Sequence, residues 1–442
     1  MSKARKIITC LIPVLLLTAF AAYAVFSPRA GLATAIGAAV YLIVFTCAAI
    51  ACVKGFLNFF KGPDGLPPSA LLGERSRKRL HPAGKIIFYS LIAQLLFIIA
   101  SYILNNLING FQQTVFEWYA DAFVSGAGGV STDAIAGAEK FAVFPFIPAF
   151  TDFISEVTGV NRALPAFILN TLAVAGLCVV LYEFMLLDYD KKTASAAVVL
   201  LLVSPAAVYM MMPLSGNTFF MLFVLLAFLL HRKGRMFFGG LFAALAAMVN
   251  VFGLLLFIPL LIGGIRNCIC AGSTETENGK KKTSKTTAEA VLSLVPMLLL
   301  LVFVLLAYFG CIRVSLPFES IYPQGFRFFF EAFNEPALSL ANREFTLSVF
   351  YCILPLLGFG ILICVCIDKV HTLYALACML LLAFAPTLFG TEMFPYAAAL
   401  LPVLPVLLPA KLKNRKARVI AALIVFASQI IFISAVFLKG RI

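Results

Sequence analysis

Two carboxylates near residue 117 have the residue type and spacing for acid–base chemistry. Glu117 and Asp121 are four residues apart in a stretch whose apolar residues recur at helical spacing, so both carboxylates would lie on one face of an amphipathic helix at the membrane surface. A carboxylate that removes a proton from a substrate hydroxyl acts as a general base. We predict Glu117 and Asp121 as alternative catalytic residues, with Trp118 and Tyr119 beside them as substrate-binding residues.

Four basic residues between the apolar runs suit a second role, the binding of a phosphate. They are Lys140, Arg313, Arg327 and Arg343. Ammonium and guanidinium groups form charge-assisted hydrogen bonds with phosphate oxygens. For each residue alone, a charged group that extends from the membrane interface into water is the alternative interpretation.

The elements that must position these residues are apolar helices. Of the 442 residues, 62% are hydrophobic and 12% are charged, which is far more apolar than a soluble domain. A helix needs roughly 20 residues to cross a hydrocarbon layer of about 30 Å. Runs of that length occur at 7–26, 32–53, 86–108, 164–187, 288–311, 345–367, 371–389 and 418–438, with shorter runs at 194–212, 215–231, 236–249, 251–265 and 393–410. We predict an all-α polytopic membrane protein with about thirteen transmembrane helices.

The net charge of +14 is explained by topology. With the N-terminus in the cytoplasm, 26 of the 34 Lys and Arg residues fall on the cytoplasmic side and 11 of the 20 Asp and Glu residues fall outside. Cytoplasmic loops of membrane proteins carry this excess of basic residues. We therefore predict a multi-pass protein of the cell membrane with a cytoplasmic N-terminus, an extracytoplasmic C-terminus and no nucleic-acid partner.

The same topology divides the chain into two parts. Residues 1–85 form two helices and a basic cytoplasmic loop, and residues 86–442 form the main transmembrane domain. That domain has an acidic outer loop at 109–163, a polar cytoplasmic loop at 266–287 and a second outer loop at 312–344. The first outer loop contains both candidate bases.

The positions of the histidines and cysteines limit which residues could act as a base or as metal ligands. All three histidines, His81, His231 and His371, fall at cytoplasmic helix ends, so a base at the outer face must be a carboxylate. The eleven cysteines are mostly within apolar runs and lack the spacing of a metal site or a disulfide framework. We predict no metal ligands and no cofactor, and metal dependence stays open. The predicted spans contain few ionisable groups, which disfavours an ion-coupled transporter or flippase without excluding it.

Two breaks interrupt the apolar runs between residues 141 and 262. One is Pro213-Leu214-Ser215-Gly216-Asn217 and the other is Asn250-Val251-Phe252-Gly253. Irregular backbone at membrane depth occurs only where protein or a water-filled cavity satisfies its polar groups. We therefore include Ser215, Asn217 and Asn250 among the predicted substrate-binding residues, although none of them can act as a base at neutral pH.

The order of motifs between residues 86 and 265 resembles the PIG-V family, which comprises GPI mannosyltransferase II and its bacterial relatives. The motifs are Phe144-Pro145-Phe146-Ile147-Pro148, Leu187-Asp188-Tyr189-Asp190-Lys191-Lys192, Ser204-Pro205-Ala206-Ala207, Pro213-Leu214-Ser215-Gly216-Asn217, Arg232-Lys233-Gly234-Arg235 and Gly239-Gly240-Leu241-Phe242-Ala243-Ala244. Residues 288–438 match loosely through Leu316-Pro317-Phe318 and Met393-Phe394-Pro395-Tyr396. The resemblance implies the GT-C fold and transfer of a sugar from a polyprenyl-phosphate donor on the outer side of the membrane.

Several polar positions of the family pattern differ in this chain. Val115 stands where the family has the aspartate of its outer loop, and Gly216 stands where it has a glutamate. Asn250 stands where it has an arginine, and a further arginine is absent near Met393. Removing both members of a buried ion pair leaves no uncompensated charge, so these replacements are compatible with a retained fold.

Two functional hypotheses follow. In the first, the protein transfers a hexose of the mannose type from a polyprenyl-phosphate donor to a glycan, lipid or protein acceptor, with Glu117 or Asp121 as the base and outer arginines on the lipid phosphate. In the second, it is a catalytically inactive relative that binds a lipid-linked sugar or scaffolds a partner enzyme. Membrane lipid is a partner in both.

Overall fold

Helices form the part of the chain that the computed structural model describes, namely residues 80–110, 113–121, 146–187, 189–204, 207, 210, 214, 216–272, 279–308 and 414–437. They are α1 Leu80–Asn109, α2 Val115–Tyr119, α3 Phe146–Thr158, α4 Ala163–Met185, α5 Lys191–Leu202, α6 Asn217–Arg232, α7 Met236–Val249, a 3₁₀ helix Val251–Leu256, α8 Phe257–Gly272, α9 Gly279–Tyr308 and α10 Arg415–Phe437. No strand occurs within these ranges. The all-α prediction is confirmed for them.

Two described helices are long and apolar enough to cross a membrane, judged by length and composition. They are Ala83–Leu107 within α1 and Ala163–Met185, which is α4. Shorter apolar helices occur at Asn217–Arg232, Met236–Val249, Gly253–Ile265 and Val291–Phe303. The spans predicted at 7–26, 32–53, 345–367, 371–389 and 393–410 lie outside the described residues, so the number thirteen stays a prediction.

Contacts between aromatic rings show the relative directions of neighbouring helices. The ring of Tyr119 is 5.4 Å from that of Phe167 near the start of α4, and Trp118 is 5.8 Å from Tyr102 near the end of α1. Because α2 joins the end of α1 to the start of α4, these two helices run antiparallel. Helices α4 and α6 run parallel, since the Phe184 and Phe228 rings are 6.4 Å apart near their C-terminal ends.

Small residues allow α7 to pack closely on both sides. A Cβ at Gly239 would lie 3.0 Å from the Ala227 carbonyl oxygen of α6, and one at Gly240 would overlap the Ser293 carbonyl of α9. Helices in lipid associate through such close backbone contacts, because the surrounding acyl chains are as apolar as leucine. The glycines therefore set the spacing of α6, α7 and α9.

The two predicted helix breaks have local physical causes. Gly216 has φ +68°, a left-handed conformation that favours glycine, and α6 begins at the next residue. At the second break, Asn250 is extended and the Gly253 N–H donates to its carbonyl at 2.8 Å, which starts the 3₁₀ helix. Both breaks occur where the sequence predicts them.

Candidate functional site

Side-chain contacts show which ends of the described helices lie together, and they define two ends of the helix bundle. At one end, Lys233 Nζ lies 3.9 Å from Glu183 Oε2 and Arg418 Nη2 donates to Thr193 Oγ1 at 2.8 Å. We call this the basic end, and its basic residues include Lys191, Lys192, Arg232, Lys233, Arg235, Arg415, Lys416 and Arg418. The opposite end contains α2, α3 and the starts of α4 and α6. We call it the carboxylate end after Glu117, Asp121, Asp152 and Glu156.

Helix α2 holds the predicted aromatic pair firmly at the carboxylate end. Thr114 caps the helix, and its side chain accepts a hydrogen bond from the Glu117 N–H at 3.3 Å. Trp118 and Tyr119 are 3% and 4% exposed, so both rings are packed into the bundle. Burial raises the pKa of the Tyr119 phenol above its ordinary range. Helix α2 is fixed to α1 and α4 through its aromatic residues.

The structure gives Glu117 a capping role. Its Oε2 accepts from the Thr114 N–H at 2.9 Å and from the Thr114 hydroxyl at 2.8 Å, which completes a capping box. These hydrogen bonds lower the pKa of Glu117 below its ordinary value. A general base working near neutral pH benefits from a raised pKa, so this environment makes Glu117 a weaker base.

Asp121 is the second candidate base and has different surroundings. It lies in the two π-helical residues that follow α2 directly, is half-buried, and accepts a hydrogen bond from Gln113 Nε2 at 2.5 Å. The Gln113 carbonyl in turn accepts from the Tyr102 hydroxyl at 2.6 Å, which connects this segment to α1. Asp121 is therefore held beside Trp118 and Tyr119 without belonging to the helix cap.

The break before α6 is held by two polar side chains from inside the bundle. Asn170 Nδ2 donates to the Met210 carbonyl at 2.9 Å, and Thr218 Oγ1 donates to the same carbonyl at 2.6 Å. A carbonyl oxygen has two lone pairs, so one acceptor satisfies both donors. Asn170 stands out in the sequence as a polar residue in an apolar helix, whereas Thr218 has no distinguishing signal there.

The two breaks are adjacent in space. A Cβ at Gly216 would lie 2.8 Å from Val249 Cγ1, and Val249 immediately precedes Asn250. Asn217 and Asn250 are 1% and 3% exposed, so both predicted substrate-binding amides are buried at these breaks. Gly216 and Asn250 are two of the positions at which the sequence departs from the pattern of the family that it resembles. They are thus neighbours in the fold.

The predicted phosphate-binding residues Lys140, Arg313, Arg327 and Arg343 lie outside the described residues, so their role stays a prediction. The predicted substrate-binding residue Ser215 also lies outside them. The described cation at the carboxylate end is Arg162, whose Nε lies 2.6 Å from Asp152 Oδ1.

The described ranges contain no group of three His, Cys, Asp or Glu side chains that could hold a metal ion. No family model, curated protein or solved structure matches this chain.

Proposed function

We propose that the chain is a multi-pass membrane protein whose basic end faces the cytoplasm and whose carboxylate end faces outward. Two observations support this orientation. The helices α1 and α4 are long enough to span a bilayer, and basic loops that are separate in sequence meet at one end of the bundle. Such an excess of Lys and Arg is typical of the cytoplasmic side.

We further propose that the carboxylate end is the site of a GT-C-type hexosyltransferase that uses a polyprenyl-phosphate donor. The observation that carries the proposal is the gathering of α2, Asn170 and the break at Gly216 at this end, although they are separated by up to about 100 residues of sequence. These segments belong to the part of the chain that resembles the PIG-V family. The site would open to the side of the membrane where such donors are used.

In the proposed reaction Asp121 is the general base. It removes the proton of an acceptor hydroxyl as that oxygen attacks the anomeric carbon of the donor sugar, and the polyprenyl phosphate leaves with the electrons of the broken bond. The leaving phosphate would be held by the predicted basic residues of the outer loops, Lys140, Arg313, Arg327 and Arg343. We prefer Asp121 to Glu117 because Glu117 is committed to the cap of α2.

A second candidate function is supported by the surroundings of Gly216. Its left-handed backbone and the short distance to Val249 disfavour any larger side chain, so position 216 has no room for the glutamate of the family pattern. The neighbouring Asn250 replaces the arginine that would pair with it. Loss of both partners supports a catalytically inactive relative that still binds a lipid-linked sugar.

A transfer assay on the full chain separates the two functions. The protein is reconstituted with a polyprenyl-phosphate mannose and a hydroxyl acceptor, and binding of the polyprenyl phosphate is measured separately. The hexosyltransferase proposal expects Asp121→Asn to lower transfer by about 100-fold or more with unchanged binding, and Glu117→Gln, the matched control, to have little effect. Binding without transfer in the unmodified chain would support the inactive relative, and absence of both would contradict the two proposals.

A further inference from the structure

Helix α3 has a surface pattern that neither proposed function explains. Ile147 and Thr151 are 3% and 0% exposed, whereas Phe150, Phe153 and Val157 are 39%, 59% and 68% exposed. At 100° per residue the three exposed apolar side chains fall within one narrow arc, which we call the α3 stripe. Asp152 and Glu156 lie on a third face, away from both the buried residues and the stripe.

The contacts of α3 show that it crosses the carboxylate end of the bundle. Near its start, Ile147 Cγ1 lies 3.9 Å from the position of a Cβ on Gly216, directly before α6. At its middle, Asp152 is paired with Arg162 at 2.6 Å, directly before α4, and residues 159–162 join its end to α4. The start, the middle and the end of α3 are therefore attached to the same end of the bundle. With 13 residues it is about 20 Å long, too short for a layer of about 30 Å.

The turn after α3 fixes its orientation. Gly159 has φ +67° and donates its N–H to the Ser155 carbonyl at 2.9 Å. The Ser155 hydroxyl donates to the Val160 carbonyl at 2.7 Å. Together with the Asp152–Arg162 ion pair, these hydrogen bonds hold α3, and with it the stripe, in a fixed orientation relative to α4.

Exposed apolar residues also follow the stripe along the chain, through the turn and into α4. Val160 is 38% exposed, and Leu164, Ile168 and Leu172 are 40%, 48% and 64% exposed at a spacing of four residues. Helix α4 is one of the two helices that are long enough to span a bilayer, so its exposed apolar side is the side that would contact lipid. Because α3 lies at the start of α4, its stripe would lie near the boundary between acyl chains and headgroups.

We propose that α3 is an interfacial helix that inserts the α3 stripe into the outer leaflet at the level of the headgroup and acyl-chain boundary. Its acidic face points toward water, so the insertion is driven by apolar side chains and not by attraction to anionic lipids. The inference rests on the membrane orientation proposed above and not on transfer activity. Its partner is a zwitterionic or neutral lipid surface.

The test uses tryptophan fluorescence of the full chain in phosphatidylcholine vesicles. Trp118, the only native tryptophan, is 3% exposed and gives a constant, shielded background. Phe153→Trp places a reporter on the stripe, and Glu156→Trp is the matched control on the acidic face of the same helix. Val157→Trp is a second stripe reporter in case Phe153→Trp does not fold.

The proposal expects the added emission at 153 or 157 to be quenched about twofold more by a shallow dibrominated phosphatidylcholine than the emission at 156, with the reverse order for aqueous iodide. Replacing part of the lipid by phosphatidylglycerol should change neither result. Equal iodide quenching on both faces would overturn the proposal in favour of a stripe in water. Stripe reporters that neither quencher reaches would overturn it in favour of a stripe covered by protein.

Discussion

Glu117 and Asp121 are both candidate bases by sequence, yet their hydrogen bonds assign them different roles. The spacing from Thr114 to Glu117 is the capping-box pattern, in which the side chain of each residue satisfies a backbone N–H of the other. A carboxylate bound in this way stabilises the start of a helix. Asp121, four residues later, is bound to Gln113 instead and keeps the geometry of a side chain that could face a substrate.

The cap predicts how α2 responds to acid. Because the pKa of Glu117 is below its ordinary value of 4.5, its stabilising contribution is fully present above that value and is lost as the pH falls through the lower folded-state value. Trp118 emission should stay constant from neutral pH to about pH 5 and shift to longer wavelength below about pH 4.5, as α2 frays. In Glu117→Gln, which cannot titrate, the shift should be absent. An equal shift in both proteins would assign it to other carboxylates.

Gly216 offers a second test at this scale, with Gly234 as its control. Both have positive φ, but a Cβ at Gly216 would lie 2.8 Å from Val249 Cγ1, whereas nothing lies within 4 Å of one at Gly234. Gly234→Ala should cost about 1 kcal/mol of stability from backbone strain alone. Gly216→Ala should cost more, because it adds a steric clash.

The measurement is thermal unfolding of the detergent-solubilised variants. Combining Gly216→Ala with Val249→Ala, which removes the clashing methyl group, should recover about 1 kcal/mol relative to the sum of the single changes. Additive effects would show that the backbone, and not Val249, excludes a side chain at position 216.

At the scale of the elements, α7 shows how composition determines helix spacing. Gly239, Gly240, Ala243, Ala244 and Ala247 are buried on this helix. Small side chains on one helix let the backbones of its neighbours approach, and this packing takes the place of a hydrophobic driving force in lipid. The motif that carries part of the family resemblance therefore has a packing explanation of its own.

Two glycine-to-alanine substitutions distinguish a glycine that helix packing requires from one that alanine can replace. A Cβ at Gly240 would overlap the carbonyl of Ser293, which belongs to the backbone of α9 and cannot rotate away. Gly240→Ala should therefore lower the free energy of unfolding by about 3 kcal/mol or more. A Cβ at Gly176 would meet Leu222 at 3.7 Å, an ordinary contact, so Gly176→Ala should raise stability by about 0.5–1 kcal/mol through its higher helix propensity. Similar unfolding temperatures for the two variants would contradict this packing.

The sequence predicts some elements well and others poorly, for physical reasons. Long apolar runs predict α1 and α4 to within a few residues at most ends, because twenty apolar residues in succession leave few alternatives. The sequence does not predict α3, because its 13 residues are too few for a membrane span and Pro148, Asp152 and Glu156 interrupt the apolar ones. The cap of α2 is visible in the sequence as Thr114 and Glu117, but burial of Trp118 and Tyr119 depends on α1 and α4.

At the scale of the molecule, the candidate site depends on contacts that sequence order does not show. Gly216 and Val249 are separated by a complete helical hairpin, so only the packing of α6 against α7 makes the two breaks neighbours. Likewise, Asn170 and Thr218 share the Met210 carbonyl because α4 and α6 run parallel. A polar residue within an apolar run can be recognised in the sequence as a candidate site residue. Which of these residues contact one another is known only from the folded structure.

The separation of charge between the two ends predicts a specific labelling pattern. Lys192 and Lys233 are exposed and lie in different loops, and the contacts Arg418–Thr193 and Lys233–Glu183 bring those loops to the same end. A membrane-impermeant amine reagent should label both lysines in inverted vesicles and neither in right-side-out vesicles, with Lys140 as the opposite control in the predicted outer loop. Mass spectrometry of the labelled peptides gives the side of each residue.

The two possible failures of this experiment have different meanings, because helix packing and membrane orientation are independent. Labelling of Lys192 and Lys233 from opposite sides would contradict the parallel arrangement of α4 and α6, since that arrangement requires both loops at one end. Labelling of both from the outside would keep the bundle and reverse its orientation, which moves Asp121 and the α3 stripe to the cytoplasmic face. The basic end then would lie where polyprenyl-phosphate sugars are used, and the proposed site would have to be sought among its arginines and lysines.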